Sequence, residues 1–537
     1  MSISVPQWGR FEAQFLSSQA YANPLQDARL DVEFVAPSGA RHTVEGFWDG
    51  GQTWRVRFCP HESGPWTFTT ACSHAADTGL HQQSGAFDCG DPVQGTIFQQ
   101  HGPITLAQNR RYLVHADGTP FFWLGDTAWN GPLWSTDEEW EHYLAERVRQ
   151  RFTTVQWIAT QWLAAPAGDL HNQRAYDGDD QIAINPAFFQ RLDHKLQRIN
   201  DAGLLAVPVL LWTAGWSANP LVEPSPGLVL PEDQAILLAR YMVARWGAHA
   251  VVWILPGDSN YLAEKADRWK RIGRAVFGGR AHAPVSLHPN STHWNMAEFQ
   301  HEDWLDIIGY QSGHAGTADS FRWLTAGPPA TDWHRTPHRP VINLEPPYED
   351  ILSFGVRKRF SAHAVRRALY WSLLVSPTAG VTYGGHGVWG WDKGTAYPIA
   401  HEVFGLPRHW REVLVMPVAE QVQHIAWLFT ALPWWRLYPA PDLLTFQPGQ
   451  HNPEEFIAAA RVDDGSAALI YIPGATAVYV NTLSLKPHLP VTWFNPRSGE
   501  TRLHTAALKR SAQLKIDTPD AQDWVLIFGT LSGGSAG

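Results

Sequence analysis

Two stretches of the chain end an apolar run on a carboxylate. Val251 to Asn260 reads V-V-W-I-L-P-G-D-S-N, and Pro340 to Glu349 reads P-V-I-N-L-E-P-P-Y-E. Five apolar residues running into Pro-Gly predict a strand buried on both faces, with Asp258 just past its carboxyl end. Glu345 closes a second short apolar strand in the same way. The carboxyl ends of parallel strands are where α/β folds bind ligands. Two carboxylates at two such ends are the equipment for cleaving a glycosidic bond, where one group handles a proton and the other attacks carbon or activates water. Either acid alone could as well cap a helix or hold an arginine; the pair, set among aromatic residues, is what points to chemistry.

Strands and helices alternate from about Gly102 to Glu402. The strands expected are Phe121–Leu124, Thr153–Ala159, Leu204–Trp212, Val251–Leu255, Pro284–Leu287, Asp306–Tyr310, Pro340–Leu344 and Gly380–Tyr383. Between them, Thr136 with Glu139 three residues on makes a capping box before a helix. Further helices are expected over Ala187–Ala202, stopped by Gly203, and over Asp233–Trp246, stopped by Gly247. Eight strands in about 280 residues predict an α/β fold of the (β/α)₈ barrel type, because a doubly wound sheet usually has fewer.

The flanks have a different pattern. Short segments such as Leu30, Val32, Phe34 and Trp54, Val56, Phe58 alternate at period two between turns, which predicts an immunoglobulin-like β-sandwich. After a helix over Val418–Phe429, a second alternating region from Phe456 to Phe528 predicts another β-sandwich. The expected division is 1–95, 96–416 and 417–537.

Composition narrows the ligand. There are 28 Trp, 14 Tyr and 24 Phe among 537 residues, and flat aromatic faces stack well on sugar rings. Many of these indoles must nonetheless be core. A net charge of −10 leaves no electrostatic footprint for nucleic acid. Cys59, Cys72 and Cys89 lack zinc spacing and read as free thiols, and no H-E-x-x-H or Gly-rich phosphate loop occurs. No cofactor and no metal are expected, and no run of eighteen apolar residues predicts a membrane span. The amino-terminal residues carry no basic and apolar leader pattern, so a cytoplasmic chain is expected, or a secreted or periplasmic one if a leader has been removed. Homo-oligomerisation is left open.

A barrel would bring the strand ends to one rim. They supply Asp126 and Trp129, Gln161 and Trp162, Trp212 and Trp216, Asp258 and Asn260, then His288 and Asn290. Tyr310, Gln311 and His314 follow, then Glu345 and Tyr348, and finally His386, Trp389 and Trp391. Amides, imidazoles, carboxylates and indoles together suit a hydroxyl-rich ligand.

Several long motifs in order carry a resemblance. They are F-F-W-L-G-D-T-A-W (Phe121 to Trp129), W-I-L-P-G-D-S-N (Trp253 to Asn260), S-L-H-P (Ser286 to Pro289), Y-Q-S-G-H (Tyr310 to His314), N-L-E-P-P-Y-E (Asn343 to Glu349) and Y-G-G-H-G-V-W-G-W (Tyr383 to Trp391). Nearly the whole chain resembles the apiosidase-like glycoside hydrolases of family 140 and their relatives, with an immunoglobulin-like amino-terminal domain and a carboxyl-terminal domain of collagen-binding type. The resemblance implies that Asp258 is the acid/base and Glu345 the nucleophile of a retaining exo-glycosidase, with the carboxyl groups ~5–5.5 Å apart. Asp126, His288, Gln311 and Tyr348 would then orient sugar hydroxyls. Trp212 or Trp389 would floor the subsite with a partly exposed ring. The substrate expected is a terminal pentose or furanose, of apiose or arabinose type, on a plant glycan or glycoside. Two alternatives are an endo-acting polysaccharide hydrolase on the same barrel and a non-catalytic carbohydrate-binding protein.

Overall fold

Eight parallel strands form the centre of the computed structural model, which describes residues 3–215, 224–394, 401–475, 477–505 and 510–532. They are β1 (Trp123–Thr127), β2 (Thr154–Ile158), β3 (Leu205–Leu211), β4 (Trp253–Pro256), β5 (Val285–Ser286), β6 (Ile308–Gln311), β7 (Val341–Glu345) and β8 (Gly380–Tyr383). Their order is β5-β4-β3-β2-β1-β8-β7-β6. A parallel bridge between Ser286 and Ile307 joins the two ends, so the sheet closes on itself as a (β/α)₈ barrel. Every residue of β3 is buried, as expected of a strand with side chains inside the barrel on one face and helices on the other. Seven longer helices are α1 (Asp137–Arg149), α2 (Pro186–Asp201), α3 (Glu232–Trp246), α4 (Glu264–Phe277), α5 (Ala318–Ala326), α6 (Ala362–Leu374) and α7 (Pro417–Thr430). The capping box at Thr136 opens α1 as the sequence indicates, with Glu139 N donating to the Thr136 hydroxyl.

The strand boundaries depart from expectation where it matters. β1 runs through Thr127 instead of stopping at Leu124, so Asp126 is part of the barrel wall. Helix α7 falls in the region assigned to the carboxyl-terminal unit, and Val418, Val422 and Ile425 are buried in a hydrophobic cluster shared by barrel residues and residues of the carboxyl-terminal sandwich. Its first turn is fixed there, because Val418 N donates to Glu349. A helix that follows eight βα units and has an apolar stripe covers the barrel by the same burial that places the other helices.

Two sandwiches flank the barrel. At the amino-terminal end a five-stranded sheet (Ile3–Pro6, Ser84–Gly90, Gly64–Cys72, Leu30–Val35, Arg41–Glu45) accompanies a three-stranded one (Phe11–Leu16, Thr53–Phe58, Phe47–Gly50). Phe11 stacks on Phe87, and Phe34 on Phe58, in a core separate from the barrel's. The carboxyl-terminal sandwich has a six-stranded sheet and a two-stranded pair. Largely buried acids help tie each sandwich to the barrel. Asp193 on α2 accepts from Arg57 of the first sandwich and from Arg245 and Trp246 of α3. Asp523 of the second accepts from Arg366 on α6, from Arg497 and from Tyr471. Among the described residues no helix is long and apolar enough to cross a membrane.

Candidate active site

Asp258 is presented by a loop that several contacts hold in shape. The Pro256 carbonyl at the end of β4 accepts from His288 N at 3.2 Å, and Gly257 N donates to Leu211 O at 3.0 Å, so the proline's missing N–H is not needed. Gly257 must be glycine because an added Cβ would lie 2.3 Å from the Trp212 ring. The Thr213 hydroxyl, just past β3, donates to the carbonyls of Gly257 and Asp258 and lies 3.3 Å from the Tyr261 hydroxyl. Tyr261 and Ala263 have φ of +34° and +49°, unfavourable for residues with a Cβ, which places backbone strain directly after the acid.

Glu345 reaches the barrel mouth through a bulge. In the β6–β7 register Tyr310 faces Asn343 but Gln311 faces Glu345, so Leu344 is an extra residue on β7. In a regular strand Asn343 and Glu345 would share a face. Here Asn343 Nδ2 donates outward to Ser372 on α6, whereas Glu345 turns to the histidines at the mouth. From across the barrel, Gln156 Nε2 donates to the Leu344 carbonyl and to Thr127 Oγ1, each at 2.8 Å, and so fixes the bulge.

The two acids are linked by one imidazole. Asp258 Oδ1 receives Gln311 Nε2 at 2.8 Å and pairs with His288 Nδ1 at 2.8 Å. His288 Nε2 approaches Glu345 Oε2 to 3.4 Å, and His314 Nε2 meets Glu345 Oε1 at 2.8 Å. Because Tyr348 N donates to His314 Nδ1 at 3.3 Å, the proton of a neutral His314 is on Nε2, where it donates to Glu345. Donor-type atoms of Asp258, His288 and Glu345 lie within 4.8 Å of one another. One nitrogen of His288 faces each acid, which makes the ring a bridge between two carboxylates rather than one of three ligands aimed at a common point.

Burial and charge divide the acids. The Asp258 side chain is 24% exposed, that of Glu345 9% and that of His288 not at all. Burial raises the Asp258 pKa above the usual carboxylate value, the Glu345 charge adds to this, and the hydrogen bond from His288 only partly offsets it. Burial acts on Glu345 in the same sense, but the hydrogen bond from His314 and the charge of His288 outweigh it and hold Glu345 low. For His288, burial is outweighed by the hydrogen bond and charge of Asp258 together with the Glu345 charge, so the imidazolium is favoured. Two carboxylates whose surroundings separate their pKa values mark an acid and a base. Glu345 Oε2 and His288 Nε2 face each other at 3.4 Å without an aligned hydrogen bond, and the Tyr348 hydroxyl is buried beside the same acid, so these polar atoms keep capacity for a polar ligand.

Residues 107–436 match the family model described as "Apiosidase-like, catalytic domain". The chain belongs to the apiosidase-like glycoside hydrolases. Residues 4–73 of this glycosidase match a domain of unknown function, DUF5060, and residues 439–529 match the model "Putative collagen-binding domain of a collagenase". Among solved structures, a glycoside hydrolase family 5 protein from Bacteroides vulgatus is similar at 20% identity with a TM-score of 0.69, covering 82% of this chain and 95% of that one. A protein from the same organism titled "putative glycoside hydrolase" covers 99% of this chain and 100% of its own at 18% identity and a TM-score of 0.73. These likenesses concern the fold. No curated protein matches in sequence.

The apiosidase-like barrel gathers Asp258, Glu345, His288, Gln311, His314 and Tyr348 at one mouth, with Trp129 edge-on to His288 at 5.3 Å. Asn260 lies in the acid's loop, where its backbone carbonyl accepts from Asn295. Other expected rim residues serve the framework. Asp126 points out of the barrel to Arg147 and Tyr143 of α1, at 2.7 and 2.6 Å. Gln161 staples the loop at Ala175 and Tyr176, and Tyr310 faces Trp323 of α5. Trp391 stacks on Trp410 outside the mouth. Neither indole expected to present an open face does so, since Trp212 is 3% exposed and Trp389 7%, both wedged among other aromatic rings. Trp216 lies outside the described residues. Thr213 and Gln156 escaped the sequence reading. Gln156 did leave a trace there, as an amide in the otherwise strand-forming run T-V-Q-W-I.

Proposed function

We propose that this glycosidase is a retaining exo-enzyme removing a terminal pentose or furanose, of apiose or arabinose type. The observation that supports the retaining mechanism is the closeness of Asp258 and Glu345, with a carboxylate oxygen of one within 4.8 Å of a carboxylate oxygen of the other, combined with their opposite pKa directions. An inverting pair stands ~6.5–9.5 Å apart to leave room for a water, and retaining carboxyls ~5–5.5 Å apart. The low exposure of Glu345, His288 and Tyr348 favours a small terminal ring over a polymer lying across the site. The family's name supports the sugar class.

The hydrogen bonds support one choice of reacting atoms. Asp258 Oδ1 is occupied by His288 and Gln311, so the transferable proton belongs on Oδ2. Glu345 Oε1 is hydrogen-bonded by His314 at 2.8 Å, whereas Oε2 has His288 Nε2 only at 3.4 Å, which favours Oε2 as the attacking oxygen. Glu345 Oε2 bonds to the anomeric carbon as the bond from that carbon to the leaving oxygen breaks, with Asp258 Oδ2 giving that oxygen its proton; Asp258 then takes a proton from a water whose oxygen attacks the anomeric carbon, breaking the bond to Glu345 and releasing the sugar. As the Glu345 charge is consumed in the covalent intermediate, its effect on Asp258 disappears. That lowers the Asp258 pKa and suits the residue to its second role as base.

Two measurements test the proposal. Proton NMR of the first product formed from nitrophenyl furanosides and pyranosides is expected to show retained anomeric configuration; inverted product would exclude the double displacement. The pH profile of kcat/KM is expected to be a bell. Activity requires ionised Glu345 and is lost as pH falls through its depressed pKa, and it requires protonated Asp258 and is lost as pH rises through its elevated pKa. Replacing Gln311 by Leu removes one donor to the Asp258 carboxylate and is expected to move the alkaline limb upward. An alkaline limb unmoved in that variant would separate the limb from Asp258.

A further inference from the structure

The two acids share one ring, and no permanent cation stands with them. His288 is fully buried, with Nδ1 2.8 Å from Asp258 Oδ1 and Nε2 3.4 Å from Glu345 Oε2. Its walls are indoles, Trp129 edge-on at 5.3 Å and Trp212 tilted at 6.1 Å. The other titratable groups around the pair are His314, which meets Glu345 Oε1, and the hydroxyls of Tyr261 and Tyr348, which burial keeps uncharged. Among the described residues no lysine or arginine pairs with either acid. A carboxylate withdrawn from water needs a compensating charge, and His288 is the group that faces both.

The proposed chemistry moves a negative charge from one side of this ring to the other. Before the covalent step Glu345 is ionised and Asp258 carries the proton. When Glu345 Oε2 bonds to the anomeric carbon and Asp258 Oδ2 gives its proton to the leaving oxygen, Glu345 becomes a neutral ester and Asp258 a carboxylate. On the reading of this site as a double-displacement glycosidase, we propose that His288 is a fixed imidazolium, counter-ion to Glu345 before the covalent step and to Asp258 after it. It keeps its own proton on Nδ1, donating to Asp258 Oδ1, so the proton that is transferred is the one on Oδ2. The three groups then carry the same total charge before and after, and neither acid is left ionised without a partner. His288 acts through the two acids and is a positioning residue. Its hydrogen bond and charge lower the Asp258 pKa, and its charge lowers that of Glu345, so both must rise when the ring is removed. The ionised Asp258 needed as base in the second step is then reached only at higher pH.

The test uses His288→Asn and His288→Gln in the full-length enzyme, with the nitrophenyl glycoside that wild type hydrolyses and with thermal denaturation to check the fold. An amide can replace a ring donor but not the charge. Both limbs of the kcat/KM bell are expected to move to higher pH, unlike Gln311→Leu, which moves the alkaline limb alone. Where deglycosylation limits, the acid side of kcat should move upward too, with glycosyl-enzyme accumulating at pH values where wild type turns over freely. A purely structural role would lower these profiles and leave their limbs in place. Nitrogen-15 NMR of the histidine rings in wild type needs neither variant. One ring is expected to keep both protons past the pH at which an ordinary histidine loses one, in the free enzyme and in enzyme trapped with the 2-fluoro derivative of the same glycoside. Limbs unmoved in a folded variant, or no such ring in wild type, would overturn the inference and leave the glycosidase reading standing. Inverted product from wild type would instead remove the double displacement on which it rests.

Discussion

Glu345→Ala is expected, on the proposed double displacement, to lower turnover by about five orders of magnitude with every leaving group, because Glu345 is there the group that forms the covalent intermediate. The geometry adds a sharper expectation. Removing the carboxylate takes away the charge that helps keep His288 protonated and Asp258 neutral, so the Asp258 pKa should fall in the variant. Azide placed where Glu345 Oε2 was would attack the anomeric carbon directly and give a glycosyl azide of inverted configuration. Substantial residual turnover of a nitrophenyl glycoside by purified Glu345→Ala, with retained configuration, would show that the nucleophile is elsewhere. Glu349 is the other acid in the same motif, but the Tyr383 hydroxyl and the first turn of α7 occupy it.

Asp258→Ala should give a different phenotype from a residue of the same chemical class. With a good aryl leaving group little protonation is needed, so the enzyme is still glycosylated but stalls, because nothing deprotonates the attacking water. Steady-state kcat should fall by about 10²–10⁴, the usual contribution of a general acid/base, with a burst of one equivalent of phenol. With a poor leaving group both steps should be lost. Azide needs no base and should restore turnover, giving a glycosyl azide of retained configuration. The strained loop through Tyr261 and Ala263 makes a control necessary, since loss of the side chain could let the loop relax. Asp258→Asn preserves the contacts at Oδ1 and should show the same rescue. If neither variant is rescued and glycosylation itself is lost with aryl substrates, Asp258 is not the acid/base.

Much of this site follows from sequence alone, for definable reasons. Apolar runs ended by Pro-Gly or Pro-Pro locate strand ends, and eight of them with helices between leave few alternatives to a barrel. Once the barrel is accepted, Asp258, His288, Gln311, His314 and Glu345 must approach one mouth, because every strand points its carboxyl end there. The large indole count gave less direction. Trp212 and Trp389 are as apolar as they are flat, and inside a barrel mouth that also needs filling, burial takes precedence over display.

Only the tertiary structure decided which residue at each strand end faces the mouth. Side chains alternate at period two, and the strand boundaries read from sequence are uncertain by more than one residue, so inward and outward cannot be told apart there. Asp126 and Tyr310 went to the helix side for this reason, since β1 is longer than its apolar run and Tyr310 is one residue from Gln311. The bulge at Leu344 is still less legible, because it arises from pairing between β6 and β7 and from an amide on β2 that holds its carbonyl. Had the same residues paired in regular register, without the bulge, Glu345 would share the face of Asn343, toward α6. Sequence determined which groups were available and at which end of the fold. The register of one strand against its neighbour, a contact between residues far apart in the chain, decided that two of them stand close enough to act on one bond.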